Sequence, residues 1–237
     1  MSALAIITAR GGSKRIPHKN IRPFLGRPII LYSIEAALSS GLFSEVMVST
    51  EDLEIARIAR QAGAQVPFLR SRQMADDFAS TDDVIREVLT SYEALGRTFD
   101  AFCCIYPTAP FVTPQKLKTA MELLKEADSV MPVVPFSFPV WRGVCMDEKG
   151  RIRYRWPQYA ASRSQDLEKL YHDCGQFYAC RTDAFLREGT TDTANMVPMI
   201  LSELEVQDID TLEDWAVAEA KYRQMREQME KERKPVT

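Results

Sequence analysis

Apolar and polar positions alternate along this chain in two rhythms, one of strands and one of helices. Residues 3–9 are a run of small and β-branched side chains that reads as a buried strand. After a loop, residues 28–40 carry Ile30, Ile34, Ala37 and Leu38 on one helical face, with Gly41 as a stop. A strand over 45–49 leads to a helix over 52–62 with Ile55, Ile58 and Ala59 inward, ended by Gly63. Residues 66–69 suggest a short third strand. Thr81-Asp82-Asp83 supplies a cap and an acidic first turn for a helix bearing Val84, Ile85, Val88, Leu89 and Tyr92. Residues 100–106 read as a strand that is apolar throughout after Asp100, as in a strand covered on both faces. Thr113-Pro114 opens a helix to about residue 127, and strands are expected at 129–134, 175–181 and 204–209. A last helix runs from Thr211 to about residue 229, followed by a solvated Glu-Lys-rich tail. This alternation predicts an α/β fold with a doubly wound, mostly parallel sheet.

The rhythm breaks between residues 135 and 165. Prolines, Phe136, Phe138, Trp141 and Trp156 interrupt it, with short strand-like pieces at 144–146 and 151–154. We read an inserted arm on a single domain spanning 1–237. Such an arm covers a site or builds a dimer interface; a hairpin packed on its own sheet explains the pattern as well. A net charge of -3 argues against a dedicated nucleic-acid binder, so any basic patch is local. No apolar run reaches membrane-spanning length, and the chain enters a strand without a charged leader, so a cytoplasmic location is expected. The five cysteines form no Cys-x-x-Cys pair and read as reduced core residues.

Candidate chemistry sits where the first strand breaks. Arg10-Gly11-Gly12-Ser13-Lys14-Arg15-Ile16-Pro17-His18-Lys19-Asn20 is a glycine-containing loop with four Lys or Arg cations. Glycines permit close backbone approach to phosphate, and Arg10, Lys14, Arg15 and Lys19 add charged donors. The spacing matches neither the Walker A loop nor the Gly-x-Gly-x-x-Gly fingerprint. Glycine turns after strands are common and surface cations are usually solvated, so it is the combination that points to a nucleotide or other polyphosphate. A second constellation is Asp208 and Asp210, two residues apart at the end of the last expected strand. Paired carboxylates there suit Mg²⁺ shared with substrate phosphates. Taken alone, capping of the next helix by Asp210 or Thr211 explains the pair more simply.

The segment from Ile7 to Pro17 with Lys19-Asn20 resembles the signature of acylneuraminate cytidylyltransferases. The resemblance continues through Ser49-Thr50-Glu51-Asp52, Phe68-Leu69-Arg70-Ser71, Tyr106-Pro107-Thr108-Ala109-Pro110 and Asp208-Ile209-Asp210-Thr211, covering nearly the whole chain. Tyr106 stands where sialate-activating members have Gln, and His172-Asp173-Cys174-Gly175 replaces their Asn-Gly region, which is more similar to the pseudaminic acid branch. The resemblance implies a nucleotide-diphospho-sugar transferase-like fold, a protruding dimerisation arm and a homodimer without nucleic-acid or membrane partners. It implies attack of the anomeric hydroxyl of pseudaminic acid on the α-phosphate of CTP, giving CMP-pseudaminic acid and pyrophosphate. By the same resemblance Arg10 and Lys14 hold the triphosphate, and Ala9, Gly11, Gly12 and Asn20 complete the nucleotide loop. Arg70, Ser80 and Thr81 lie near cytosine and ribose, and Asp208 and Asp210 bind Mg²⁺. Tyr106, Gln165, Tyr171, His172, Asp173 and Gln176 face the sugar, with Arg163 on the arm, which in this family reaches a neighbouring site. The alternatives are legionaminic, N-acetylneuraminic or 3-deoxy-octulosonic acid as substrate, or a non-catalytic nucleotide-binding homologue.

Overall fold

A computed structural model describes residues 2–233. The strand β1 (Ala3–Thr8) is followed by a two-stranded turn, β2 (Pro23–Phe24) and β3 (Arg27–Pro28), then α1 (Ile30–Ser40), β4 (Glu45–Ser49), α2 (Leu53–Gln61) and α3 (Thr81–Ala94). Next come β5 (Ala101–Ile105), α4 (Pro114–Leu123), β6 (Ser129–Pro135), β7 (Val144–Met146) and β8 (Ile152–Tyr154). The chain closes with β9 (Tyr171–Asp173), β10 (Phe177–Arg181), α5 (Thr182–Glu188), β11 (Met196–Ile200) and α6 (Leu212–Arg233). The main sheet has the order β11-β6-β10-β5-β1-β4, with β9 pairing β6 as well. β4, β1 and β5 run parallel, as do β6 and β11, whereas β10 is antiparallel to both β5 and β6.

Strand periodicity builds a core on each face. Ala3, Ala5 and Ile7 of β1 join Cys103 and Ile105 of β5 under α1, α2 and α4. The intervening Leu4, Ile6, Phe102 and Cys104 pack with Ile85, Val88 and Tyr92 of α3 and Phe185 of α5. The doubly wound reading therefore holds. A third cluster matters for the site: Ile16 of the cationic loop and Ile209, which separates the two aspartates, pack with Phe24, Phe111, Trp215 and Ala218. Two buried isoleucines thus anchor oppositely charged segments to one apolar base.

Several expectations are corrected. Residues 66–69 form no strand; β4 gains only an isolated bridge between Met47 and Gln65. Residues 204–209 form no strand either, but a 3-10 turn (Glu203–Glu205) and irregular backbone. The reason is competition for carbonyls. The Glu205 carbonyl accepts from Lys116 Nζ and Gln176 Nε2, while those of Glu203 and Val206 accept from Lys221 Nζ. Ser80, rather than Thr81, caps α3, through a capping box with Asp83. α5, β9 and β11 are additional elements; β11 is an edge strand with a central Pro198, which hides its strand character. The Glu-Lys-rich terminal run is helical as far as Arg233, and the remainder of the expected tail lies outside the described residues.

The 135–165 segment carries the hairpin β7–β8, which forms a sheet separate from the main one. Val144 faces Tyr154 and Met146 faces Ile152 across it, and Met146 and Ile152 are 71% and 70% exposed. Trp141 packs edge-on against Trp156 at 5.6 Å between ring centres, giving the arm a small aromatic centre of its own. No helix among the described residues is long and apolar enough to cross a membrane.

Candidate active site

The carboxyl ends of β1, β4 and β5 meet at one sheet edge, where open α/β sheets take ligands. A cavity of about 580 Å³ opens there. Its lining includes Arg10, Lys14, Arg15, Lys19 and Asn20 from the loop after β1, Arg70 from the connection between α2 and α3, Ser80 and Thr81 at the start of α3, Tyr106 after β5, and Asp210. Residues up to 200 positions apart in sequence are thereby gathered in one wall.

The cationic loop is stapled from several sides. Asn20 Nδ2 donates to the Arg10 carbonyl at 2.8 Å, closing the loop on itself. Ala9, buried behind the cavity, donates its N–H to the Ser49 carbonyl at 3.0 Å. The N–H of Gly11 donates to Glu51 Oε1 at 2.7 Å, so this donor is committed to the protein. A Cβ at Gly11 would lie 2.6 Å from Asp52 Oδ2, whereas one at Gly12 would meet nothing within 4 Å. The two glycines therefore differ in role: Gly11 permits close packing against the start of α2, and Gly12 keeps an open face.

Arg70 is buried and donates to the hydroxyl of Ser49 at 3.0 Å and to its carbonyl at 2.7 Å. Burial pushes its guanidinium pKa down from the usual value, opposed by the carboxylate of Glu51. Thr81 Oγ1 and the Tyr106 hydroxyl share a hydrogen bond of 3.3 Å, and burial holds the Tyr106 phenol above its ordinary pKa. Tyr106 also stacks edge-on with Tyr178, whose hydroxyl donates to the Asp173 carboxylate.

The antiparallel direction of β10 brings the sugar-side candidates toward this edge. The Tyr106 N–H donates to the Gln176 carbonyl at 2.9 Å, tying β5's exit to β10's entry. Gly175, in the left-handed region at φ 61°, sits beside Asp208: an added Cβ would stand in ordinary contact, 3.5–3.8 Å from its carboxylate. Gln176 thus adjoins Tyr106 through the backbone and Asp208 adjoins Asp210 in sequence, but neither they nor Asp173 line the cavity. Gln176 is almost fully buried, and its Oε1 has no partner. His172 points elsewhere, with Nδ1 hydrogen-bonded to the Asp173 carbonyl and its ring against Phe136. Tyr171 is exposed on β9, and Arg163 and Gln165 lie at a turn beyond the hairpin; none of these four lines the cavity.

The helix-capping alternative for the acidic pair is settled by Thr211. Asp214 N donates to Thr211 Oγ1 at 3.2 Å, and Asp214 Oδ2 accepts from the N–H groups of Asp210 and Thr211. Asp210 is thus released from capping. Its carboxylate receives both guanidinium nitrogens of Arg15 at 2.8 Å and Lys19 at 3.4 Å. Asp208 is exposed, yet partial desolvation of its carboxyl followed by repulsion from Asp210 raises its pKa above the ordinary carboxylate value. Among the described residues no group of three or more His, Cys, Asp or Glu side chains is arranged to hold a metal. A cation between these two carboxylates would complete its shell with water and phosphate oxygens, the usual Mg²⁺ habit. Arg15 and Lys19 already neutralise Asp210, so such an ion would replace or supplement those two cations beside Asp208.

Sequence reasoning missed four contributors. Glu51 holds Gly11, and Tyr178 holds Asp173. Lys116, a buried ammonium, donates to the Phe111 and Glu205 carbonyls at 3.1 and 3.2 Å and so braces the segment leading to Asp208. Asp77 pairs with Arg10 and Lys14 across more than 60 residues. Glu51 lies within a motif already singled out, but nothing local marks the other three.

Residues 4–188 match the family model described as cytidylyltransferase. The chain is 39% identical over 225 residues to a pseudaminic acid cytidylyltransferase of Campylobacter jejuni, covering 94% of this chain and 97% of that protein. It is 34% identical over 229 residues to a CMP-N,N'-diacetyllegionaminic acid synthase of Legionella pneumophila, covering 92% and 95%. In fold it is similar to a CMP:2-keto-3-deoxy-manno-octonic acid synthetase solved with CTP, with a TM-score of 0.68 at 19% identity, covering 95% and 100% of the two chains.

Proposed function

The chain belongs to the cytidylyltransferase family, and from that premise we propose that it joins CTP to pseudaminic acid, giving CMP-pseudaminic acid and pyrophosphate. The anomeric oxygen of the sugar forms a bond to the α-phosphorus of CTP. The bond from that phosphorus to the bridging oxygen breaks, pyrophosphate leaves, and the hydroxyl proton passes to solvent or base. Such a displacement needs alignment and charge neutralisation more than a covalent intermediate.

The observation that carries this reading is the cavity wall itself: Arg10, Lys14, Arg15 and Lys19 line one pocket together with Asp210 and Tyr106. Arg10 and Lys14 neutralise the triphosphate and the charge that builds on the leaving pyrophosphate. Gly12 offers its open face to phosphate, while Gly11 and Asn20 shape the loop. Arg70, Ser80 and Thr81 form the base-and-ribose side. Asp208 and Asp210 would hold Mg²⁺, which when bound would supply charge neutralisation to the phosphates. Tyr106 meets the sugar in this pocket, and Asp173 and Gln176, which do not line it, support that edge through Tyr178 and the Tyr106 backbone.

The exposed apolar face of β7–β8 suits burial against a second copy, because an isolated two-stranded hairpin is marginal in water. In the resulting homodimer Arg163 and Gln165 approach the neighbouring site, whereas Tyr171 and His172, which do not line the cavity, take no part in holding the sugar. All five cysteines are free and four are buried, which suits a reducing cytoplasm.

The test is pyrophosphate release from CTP and Mg²⁺ with pseudaminic, N,N'-diacetyllegionaminic or N-acetylneuraminic acid. Preferential release with pseudaminic acid is expected. Preferential release with another sugar would keep the cytidylyl transfer and reassign the Tyr106 edge. CTP binding without release on any acid sugar would favour a non-catalytic homologue.

A further inference from the structure

Arg10 and Lys14 meet a single carboxylate. Arg10 Nη1 donates to Asp77 Oδ1 at 2.9 Å and to the Asp76 carbonyl at 3.1 Å, while Lys14 Nζ donates to Asp77 Oδ2. Asp77 therefore bridges the two cations with one oxygen on each, as a phosphate oxygen pair would. Its position is built by the local chain. Asp76 Oδ1 accepts the N–H groups of Phe78 and Ala79 at 2.8 and 2.9 Å, an Asx turn that projects the neighbouring side chain. The Ser80–Asp83 capping box anchors the following residues to α3. Between these two anchors the segment stays on the surface, with Phe78 94% exposed, so the carboxylate can withdraw without opening the core.

We propose that Asp77 is a positioning residue that competes with phosphate for Arg10 and Lys14 and thereby promotes departure of pyrophosphate. This rests on the reading above, in which pyrophosphate leaves from those two cations. A carboxylate and a polyanion drawn to the same two cations repel each other, so binding of one weakens binding of the other. The competition weakens binding of any ligand that places phosphates on both cations, which includes CTP and pyrophosphate. CMP, lacking the β- and γ-phosphates, is largely outside it.

Asp77→Asn keeps the size and one acceptor oxygen while removing the charge. Calorimetric titration of inorganic pyrophosphate with Mg²⁺, of CTP with Mg²⁺, and of CMP into both proteins reads the effect directly. The variant is expected to bind pyrophosphate and CTP about threefold tighter or more, the scale of one or two exposed ion pairs, with CMP unchanged. In turnover the KM for CTP falls, kcat does not rise, and product inhibition by pyrophosphate strengthens. Unchanged or weaker pyrophosphate binding would overturn the proposal, as would equal tightening of CMP, which would indicate general loosening of the pocket. Wild-type protein that binds neither CTP nor pyrophosphate would remove the reading of the cavity and this proposal with it. Wild-type binding without tightening in the variant removes the proposal alone.

Discussion

Gly11→Ala and Gly12→Ala, one position apart, are expected to fail in different ways. A Cβ at position 11 would stand 2.6 Å from Asp52 Oδ2, 3.0 Å from its Cβ and 3.2 Å from its Cγ. Asp52 cannot simply swing aside, because its Cβ is fixed to the backbone and its Oδ1 caps α2, accepting from Glu54 and Ile55 at 2.7 and 3.1 Å. Displacing that cap costs about 1 kcal/mol, and forcing a methyl group into a packed contact costs about 1–3 kcal/mol. A loss near 2 kcal/mol lowers the unfolding midpoint of a chain this size by roughly 4–8 °C. At Gly12 the added methyl meets nothing within 4 Å, so stability should be unmoved. The face it occupies is the one proposed for phosphate, so CTP affinity should fall instead. Thermal unfolding by circular dichroism, paired with calorimetric CTP titration, separates the two. A Gly11→Ala protein with the wild-type midpoint would refute the packing argument. A Gly12→Ala protein with wild-type CTP affinity would refute the open-face role.

Lys14→Ala should leave the fold intact and reduce turnover by two orders of magnitude or more, as loss of a charge-stabilising donor worth about 3 kcal/mol implies; near-normal kcat would remove Lys14 from the mechanism. Asp208→Asn should abolish metal-dependent turnover yet raise the unfolding midpoint at pH 7 in the presence of a chelator. The sign follows from its raised carboxyl pKa: between the ordinary value of 3.8 and the folded value the native state holds more protons, so stability falls as pH rises through that window, and Asn removes the penalty. A lowered midpoint would show that the Asp208 charge supports the fold. Lys116→Met should cost about 2 kcal/mol in denaturant unfolding, because the buried Phe111 carbonyl loses its ammonium donor. Burial depresses the Lys116 pKa, so the unfolded chain holds the extra proton between the folded value and 10.5, and native stability rises with pH across that range; the Met variant should lose this slope.

Strong local periodicity made β1, β4, β5 and the helices α1 to α4 legible, because a strand buried on both faces and a helix with one apolar stripe each leave a signature within ten residues. Thr113 as cap and Pro114 as first helical residue of α4 could be read to the residue. The motif from Ile7 to Asn20 likewise carried the family, since a long contiguous run needs no tertiary context. What the tertiary structure alone decided is orientation and pairing. β10 has an ordinary strand pattern, yet its insertion antiparallel between β5 and β6 is what brings Asp173 and Gln176 beside Tyr106. Residues 204–209 read as a strand, but Lys116, Lys221 and Gln176 take their carbonyls from distant parts of the chain. Asp208 and Asp210 were visible as a pair. That Asp210 meets Arg15 across 195 residues, and that Asp77 meets Arg10 and Lys14, follows only once the buried Ile16 and Ile209 share one apolar base and the α3 approach folds over the loop. Local sequence can encode a propensity and a charge, but the partner that neutralises a charge is chosen by the packing of the apolar residues between them.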